Sequence, residues 1–83
     1  MNNNNKLSVE IFGRQYHIVG QESANHMRHV ASFVDEKMRD IASSNPHLDV
    51  ARLAVLSAVN IADELIQLRK EHEELMELLE AVK

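Results

Sequence analysis

The side chains of this sequence that could do chemistry are five histidines (His17, His26, His29, His47, His72) and thirteen carboxylates. His26 and His29 stand three residues apart, so one helix would present both imidazoles on one side. A zinc site needs further ligands at a defined spacing, and no carboxylate set with that spacing accompanies the pair. Cysteine is absent, which excludes thiolate ligands and disulfides. The acidic clusters Asp63-Glu64 and Glu71-Glu73-Glu74 read as solvated faces of a helix. There is no glycine-rich phosphate loop and no nucleophile beside a base signature. The expectation is therefore no enzyme, no metal and no cofactor. A metal-binding subunit built on His26 and His29 is the rival class, and stoichiometric zinc in purified protein would reveal it.

A different kind of candidate is Arg14. It follows Phe12-Gly13 between two alternating apolar runs, Leu7-Val9-Ile11 and Tyr16-His17-Ile18-Val19, which together predict a β-hairpin over 7–19 with Arg14 at its tip. Residues 2–5 are an asparagine run expected to fray. A lone hairpin is marginal in water, so its apolar face must lie on another element. After the candidate N-cap Ser23, the residues Met27, Val30, Ala31, Val34, Met38 and Ile41 recur at three- and four-residue steps. That stripe predicts an amphipathic helix over about 24–44, ended by Ser43-Ser44-Asn45-Pro46, with Arg28 and Arg39 on its polar side. Met27 and Met38 are expected in the core.

Asp49 is the next N-cap, with Leu48 and Leu53 at the spacing of a hydrophobic staple. From Val50 to Val82 there is neither glycine nor proline. A helix of that length runs to about 50 Å, whereas a compact domain of this size has a radius of gyration near 12 Å. Its own chain cannot cover it. Ile61, Leu65, Leu68, His72, Leu75, Leu79 and Val82 alternate four- and three-residue steps, the seam of a coiled coil. Carried backward, the register adds the small residues Ala51, Ala54 and Ala58. A second apolar set, Leu53, Val55, Leu56, Val59 and Ile66, calls for burial on another side too. Asn60 within this stretch would bond the roof of the head or a symmetry mate. His72 either sets register and subunit number on the seam or snorkels at its edge. Met76 and Leu78 widen the seam, which points beyond two strands.

Size and charge agree with an assembling protein. A single 83-residue domain has a small core and usually needs a staple, and without cysteine that staple is oligomerisation. The net charge of −4 argues against a nucleic-acid binder, and no apolar run reaches the length of a membrane span. The start lacks the features of a signal peptide, so a cytoplasmic protein is expected. Residues 1–52 hold six basic and six acidic side chains, so all the excess negative charge lies beyond them. The chain divides into a head at 1–48 and a long helix at 49–83. The class is α+β, with the hairpin and first helix packed on a long helix that forms an intermolecular coiled coil.

Three segments, in order, resemble one family. They are Val9-Glu10-Ile11-Phe12-Gly13-Arg14-Gln15-Tyr16-His17-Ile18, Val30-Ala31-Ser32-Phe33-Val34-Asp35-Glu36-Lys37-Met38, and Leu53-Ala54-Val55-Leu56-Ser57-Ala58-Val59-Asn60-Ile61-Ala62-Asp63-Glu64-Leu65. Together they look like the ZapA family of bacterial cell-division proteins, in its short Gram-positive form. The resemblance implies a dimer with globular heads and a helical tail, and in longer members an antiparallel dimer of dimers. It implies binding of the heads to FtsZ protofilaments, favouring their bundling at mid-cell. The hairpin arginine of the family falls on Arg14, and an apolar position important for assembly falls on Leu56. This sequence stops at Lys83, short of the tail of longer relatives, which bears on tetramer formation.

The functional expectation is a non-enzymatic scaffold for FtsZ. Arg14, Arg28 and Arg39 are its candidate contacts. Leu56, Ala58, Ile61, Leu65, Leu68, His72, Leu75, Leu79 and Val82 are the candidates for self-association. A small dimeric adaptor that binds a partner without cross-linking it is the alternative.

Overall fold

A computed structural model describes residues 5–82 of the chain. The asparagine run therefore lies outside the described residues except for Asn5. Strand β1 (Asn5–Ile11) pairs antiparallel with β2 (Arg14–Gly20), followed by α1 (Ala24–Ser44) and α2 (Val50–Ala81).

The hairpin extends slightly beyond the expected range, and its loop is shorter. Only Phe12 and Gly13 connect the strands, both at positive φ (49° and 77°), the mark of a type I′ turn whose twist suits a two-residue hairpin. Arg14 is thus not at the tip. It opens β2 opposite Ile11, and so shares a face with Val9 and Tyr16, which are themselves paired. That face holds the buried Val9 and the half-buried Leu7 and Ile11, while Ser8 and Glu10 point to the exposed side. Gly20 at the far end allows a close approach: a Cβ there would meet Met27 Sδ at 3.0 Å.

Both helix starts are as the sequence predicts. Ser23 Oγ accepts from His26 N–H at 3.1 Å, and Asp49 Oδ1 accepts from Arg52 N–H at 2.8 Å. At the end of α1, Asn45 donates from its side chain to Ile41 C=O at 2.9 Å, which satisfies a terminal carbonyl before Pro46.

Helix α1 is the middle layer: β1 packs along it on one side, and α2 on the other. The buried residues are Val9, Met27, Ala31, Met38, Leu53 and Ser57. Of the stripe expected on α1, Met27, Ala31 and Met38 are buried, Val34 and Ile41 half-buried, and Val30 exposed. Ser57, buried within α2, donates to Leu53 C=O at 2.8 Å, so no buried polar side chain is left without a partner among the described residues. Lys37 joins the helices through an ion pair with Glu64 at 2.6 Å. The Cα radius of gyration is 16.9 Å, well above the ~12 Å of a compact chain of this length.

Candidate interaction site

The three arginines expected to meet a partner stand in different surroundings. Arg39 donates from Nε to Asp35 Oδ2 at 2.9 Å, and its guanidinium lies 5.8 Å from the centroid of the Phe12 ring. Arg28 donates to Asn25 Oδ1 at 3.1 Å and lines a shallow polar groove with Ser8, Glu10, Ser32 and Asp35. Arg14 is exposed and has no ion-pair partner among the described residues. Arg14 and Arg39 flank the turn. Arg28 lies eleven residues before Arg39 on α1, about 16 Å along the axis.

Asp35 ties the turn to the helix. Its Oδ1 accepts the backbone N–H of Phe12 at 2.7 Å while Oδ2 accepts from Arg39. The hydrogen bond from Arg39 does most to hold its carboxyl below the usual carboxylate value, the Phe12 N–H adds to it, and desolvation partly opposes both. Asp35 in turn raises the Arg39 guanidinium, with a smaller contribution from Glu10 across the groove. Sequence reasoning missed this cluster. Asp35 and Arg39 stand at the i, i+4 spacing of a helix pair, which was legible. The turn amide twenty-three residues away was not, because only packing brings it there.

The second candidate surface is α2. Only Leu53 and Ser57 are buried on it, and Ile61 is half-buried. Along the expected seam, Ala58, Leu65, Leu68, His72, Leu75, Leu79 and Val82 are all exposed in the single chain. Leu68 is 64% exposed. The helix closes at Ala81, with Val82 as its C-cap. Leu65, Leu68, His72 and Leu75 line one open apolar depression, and Val34, Met38, Ala54, Ala58 and Ile61 line another between the helices. Leu56 is turned away from these and borders a third depression with Leu48, Val55 and Val59. Asn60 is exposed, so the bond to the roof expected from the sequence is not made within one chain. Among the described residues no group of three His, Cys, Asp or Glu side chains is placed to hold a metal. No helix among them is long and apolar enough to cross a membrane.

This geometry has known counterparts. Among curated proteins, a cell division protein ZapA from Bacillus mycoides is 52% identical over 75 residues, which span 90% of this chain and 84% of that protein. Among solved structures, a ZapA mutant dimer from Geobacillus stearothermophilus superposes with a TM-score of 0.75 at 46% identity, covering 96% of this chain and 93% of that one. A conserved bacterial protein of unknown function from Pseudomonas aeruginosa gives 0.70 at 30% identity, covering 94% and 96%. The family model described as cell division protein ZapA matches residues 7–83, the hairpin and both helices together. With its hairpin, middle helix and uncovered long helix all inside that match, the chain belongs to the ZapA family of cell-division proteins.

Proposed function

We propose that this protein is a non-enzymatic scaffold that binds FtsZ protofilaments and promotes their bundling and Z-ring assembly in the cytoplasm at mid-cell. The observation that carries the reading is a 32-residue helix with its apolar side uncovered, joined to a small head that presents the exposed cation Arg14. An uncovered seam of this length implies a second copy, since burying each leucine is worth roughly 1.5–3 kcal/mol. The dimer of the Geobacillus stearothermophilus relative supports that reading. Leu65, Leu68, His72, Leu75, Leu79 and Val82 form the seam in this arrangement, with Ala58 and Ile61 at its head end and Leu56 on a second contact. Met76 and Leu78, both exposed, add the width that a dimer of dimers uses. The heads hold the FtsZ contact around Arg14, Arg28 and Arg39. Two heads on one assembly bridge two filaments through avidity.

The experiment is paired sedimentation with FtsZ filaments. High-speed pelleting reads binding, and low-speed pelleting or light scattering reads bundling. Arg14→Glu is expected to abolish binding without changing solution mass or melting, because an exposed side chain contributes little to folding while a reversed charge repels an acidic partner. A chain ended at Lys70 loses Leu75, Met76, Leu78, Leu79 and Val82. It is expected to bind filaments but lose bundling. If wild type binds without bundling, the adaptor reading replaces the scaffold. If Arg14→Glu pellets like wild type, the contact lies elsewhere on the head.

A further inference from the structure

The turn of the hairpin carries an unusual residue. Phe12 sits at φ 49°, in the left-handed region that glycine, asparagine and aspartate enter readily and a bulky aromatic rarely does. A two-residue turn of this type favours Asn-Gly or Asp-Gly, so phenylalanine at the first position is a local misfit. Three contacts hold it there. Asp35 accepts its N–H at 2.7 Å, Arg39 lies over its ring at 5.8 Å, and Arg39 also clamps Asp35 at 2.9 Å. The cluster joins the only loop of the hairpin to the middle of α1, and Arg14 leaves that loop two residues later. Backbone strain retained in this way is a reason to ask what the surrounding residues hold in place.

We propose that Asp35 and Arg39 form a latch that sets the pose of the hairpin on α1, so that Arg39 serves partner binding by positioning the turn and Arg14 rather than by touching the partner. The inference about binding rests on the FtsZ reading above; the latch itself does not. Arg39 already donates from Nε to Asp35, whereas Arg14 has no ion-pair partner among the described residues. The two roles for Arg39 make opposite predictions. If Arg39 contacts an acidic partner directly, neutralising Asp35 releases a cation and removes a repelling carboxylate, and binding rises. If Arg39 acts through the latch, the same change loosens the turn, and binding falls although the cation remains.

The test uses the full chain as wild type, Asp35→Asn and Arg39→Lys, after helical signal and solution mass are shown to match. Amide exchange at Phe12 reads the latch, and co-sedimentation with FtsZ filaments reads binding. The expected result is severalfold faster exchange at Phe12 in both variants, with a severalfold lower bound fraction for Asp35→Asn. Arg39→Lys keeps the charge but loses the planar guanidinium, so binding falls in that variant too. Because an asparagine Oδ1 can still accept from the Phe12 N–H, unchanged Phe12 exchange in both variants overturns the latch. Faster exchange with undiminished or increased binding overturns the positioning role and makes Arg39 a contact. Wild type that does not pellet with filaments refutes the FtsZ reading, and the exchange result then decides the latch alone.

Discussion

The head and the tail of this protein bury themselves by different means. In the head, α1 is covered on two sides by its own chain, and its polar residues are tied into specific pairs: Asp35 with Arg39 and Phe12, Lys37 with Glu64, Ser23 with His26. Beyond Glu64, no ion pair from α2 to the head is seen among the described residues, and the leucines there are about half or more exposed: Leu65 46%, Leu75 54%, Leu78 65%. The head is ordered by contacts within one chain, the tail by a pattern that only another chain can use. A short domain can place part of its stability outside itself in this way, and under the proposed function the same pattern would supply more than one head.

The contrast can be broken most severely at the tail. Leu68→Asp places a carboxylate on the uncovered seam. It is expected to dissociate the assembly and take most of the helical signal with it, because burying a charge without a partner costs several kcal/mol. Sedimentation equilibrium with circular dichroism checks this, as does a thermal midpoint that rises with wild-type concentration. A wild-type monomer with a full helical signal at micromolar concentration would contradict the account of the tail.

Leu53→Ala attacks the head instead. Leu53 is only 2% exposed within one chain, so truncation leaves a cavity and is expected to cost about 2–5 kcal/mol. In denaturant titrations the loss should appear equally when the protein is diluted, in contrast to any seam variant. A loss that grows on dilution would mean that Leu53 is also part of the contact between copies.

A smaller effect is expected where the two regions meet. The Lys37–Glu64 pair bridges α1 and α2 with one partner half exposed, so Glu64→Gln is expected to cost under about 1 kcal/mol and to lose even that in high salt. Thermal melts at low and high salt measure it. A salt-independent loss would indicate a buried pair.

The smallest effect is the acid limb of the head. The carboxyl of Asp35 is held below its ordinary value by Arg39 first and the Phe12 amide second. Since the unfolded chain then takes up the proton more readily, this stabilisation is complete above the unfolded value of about 3.9 and is lost as pH falls through the lower folded value. Arg39 on the same helix, Glu10 on β1 and Arg28 in the shared groove are the charges facing this carboxylate. The protection of the Phe12 amide, after correction for the intrinsic pH dependence of exchange, should be flat near neutrality and fall in acid, and Asp35→Asn should abolish that fall. A fall in protection around neutral pH would assign it to another group.

Residue order alone was enough for the elements and for a tail that its own chain leaves uncovered. The three- and four-residue spacing of Met27 through Ile41, the caps at Ser23 and Asp49, and the unbroken run from Val50 are local facts of composition and period, so α1 and α2 begin and end as expected. The exposed seam followed from length, because a helix of about 50 Å outruns any core that 83 residues can build. What waited for the tertiary structure were the contacts between residues far apart in sequence. Arg14 moved from the tip to the first position of β2 because the turn closed over two residues, which strand pairing decides. The Asp35–Arg39 pair is local to α1, but only chain packing brought the Phe12 amide and ring to it. Periodicity specifies which face of an element is apolar; only the packing of elements specifies which side chain meets which, and therefore which charges are left for a partner.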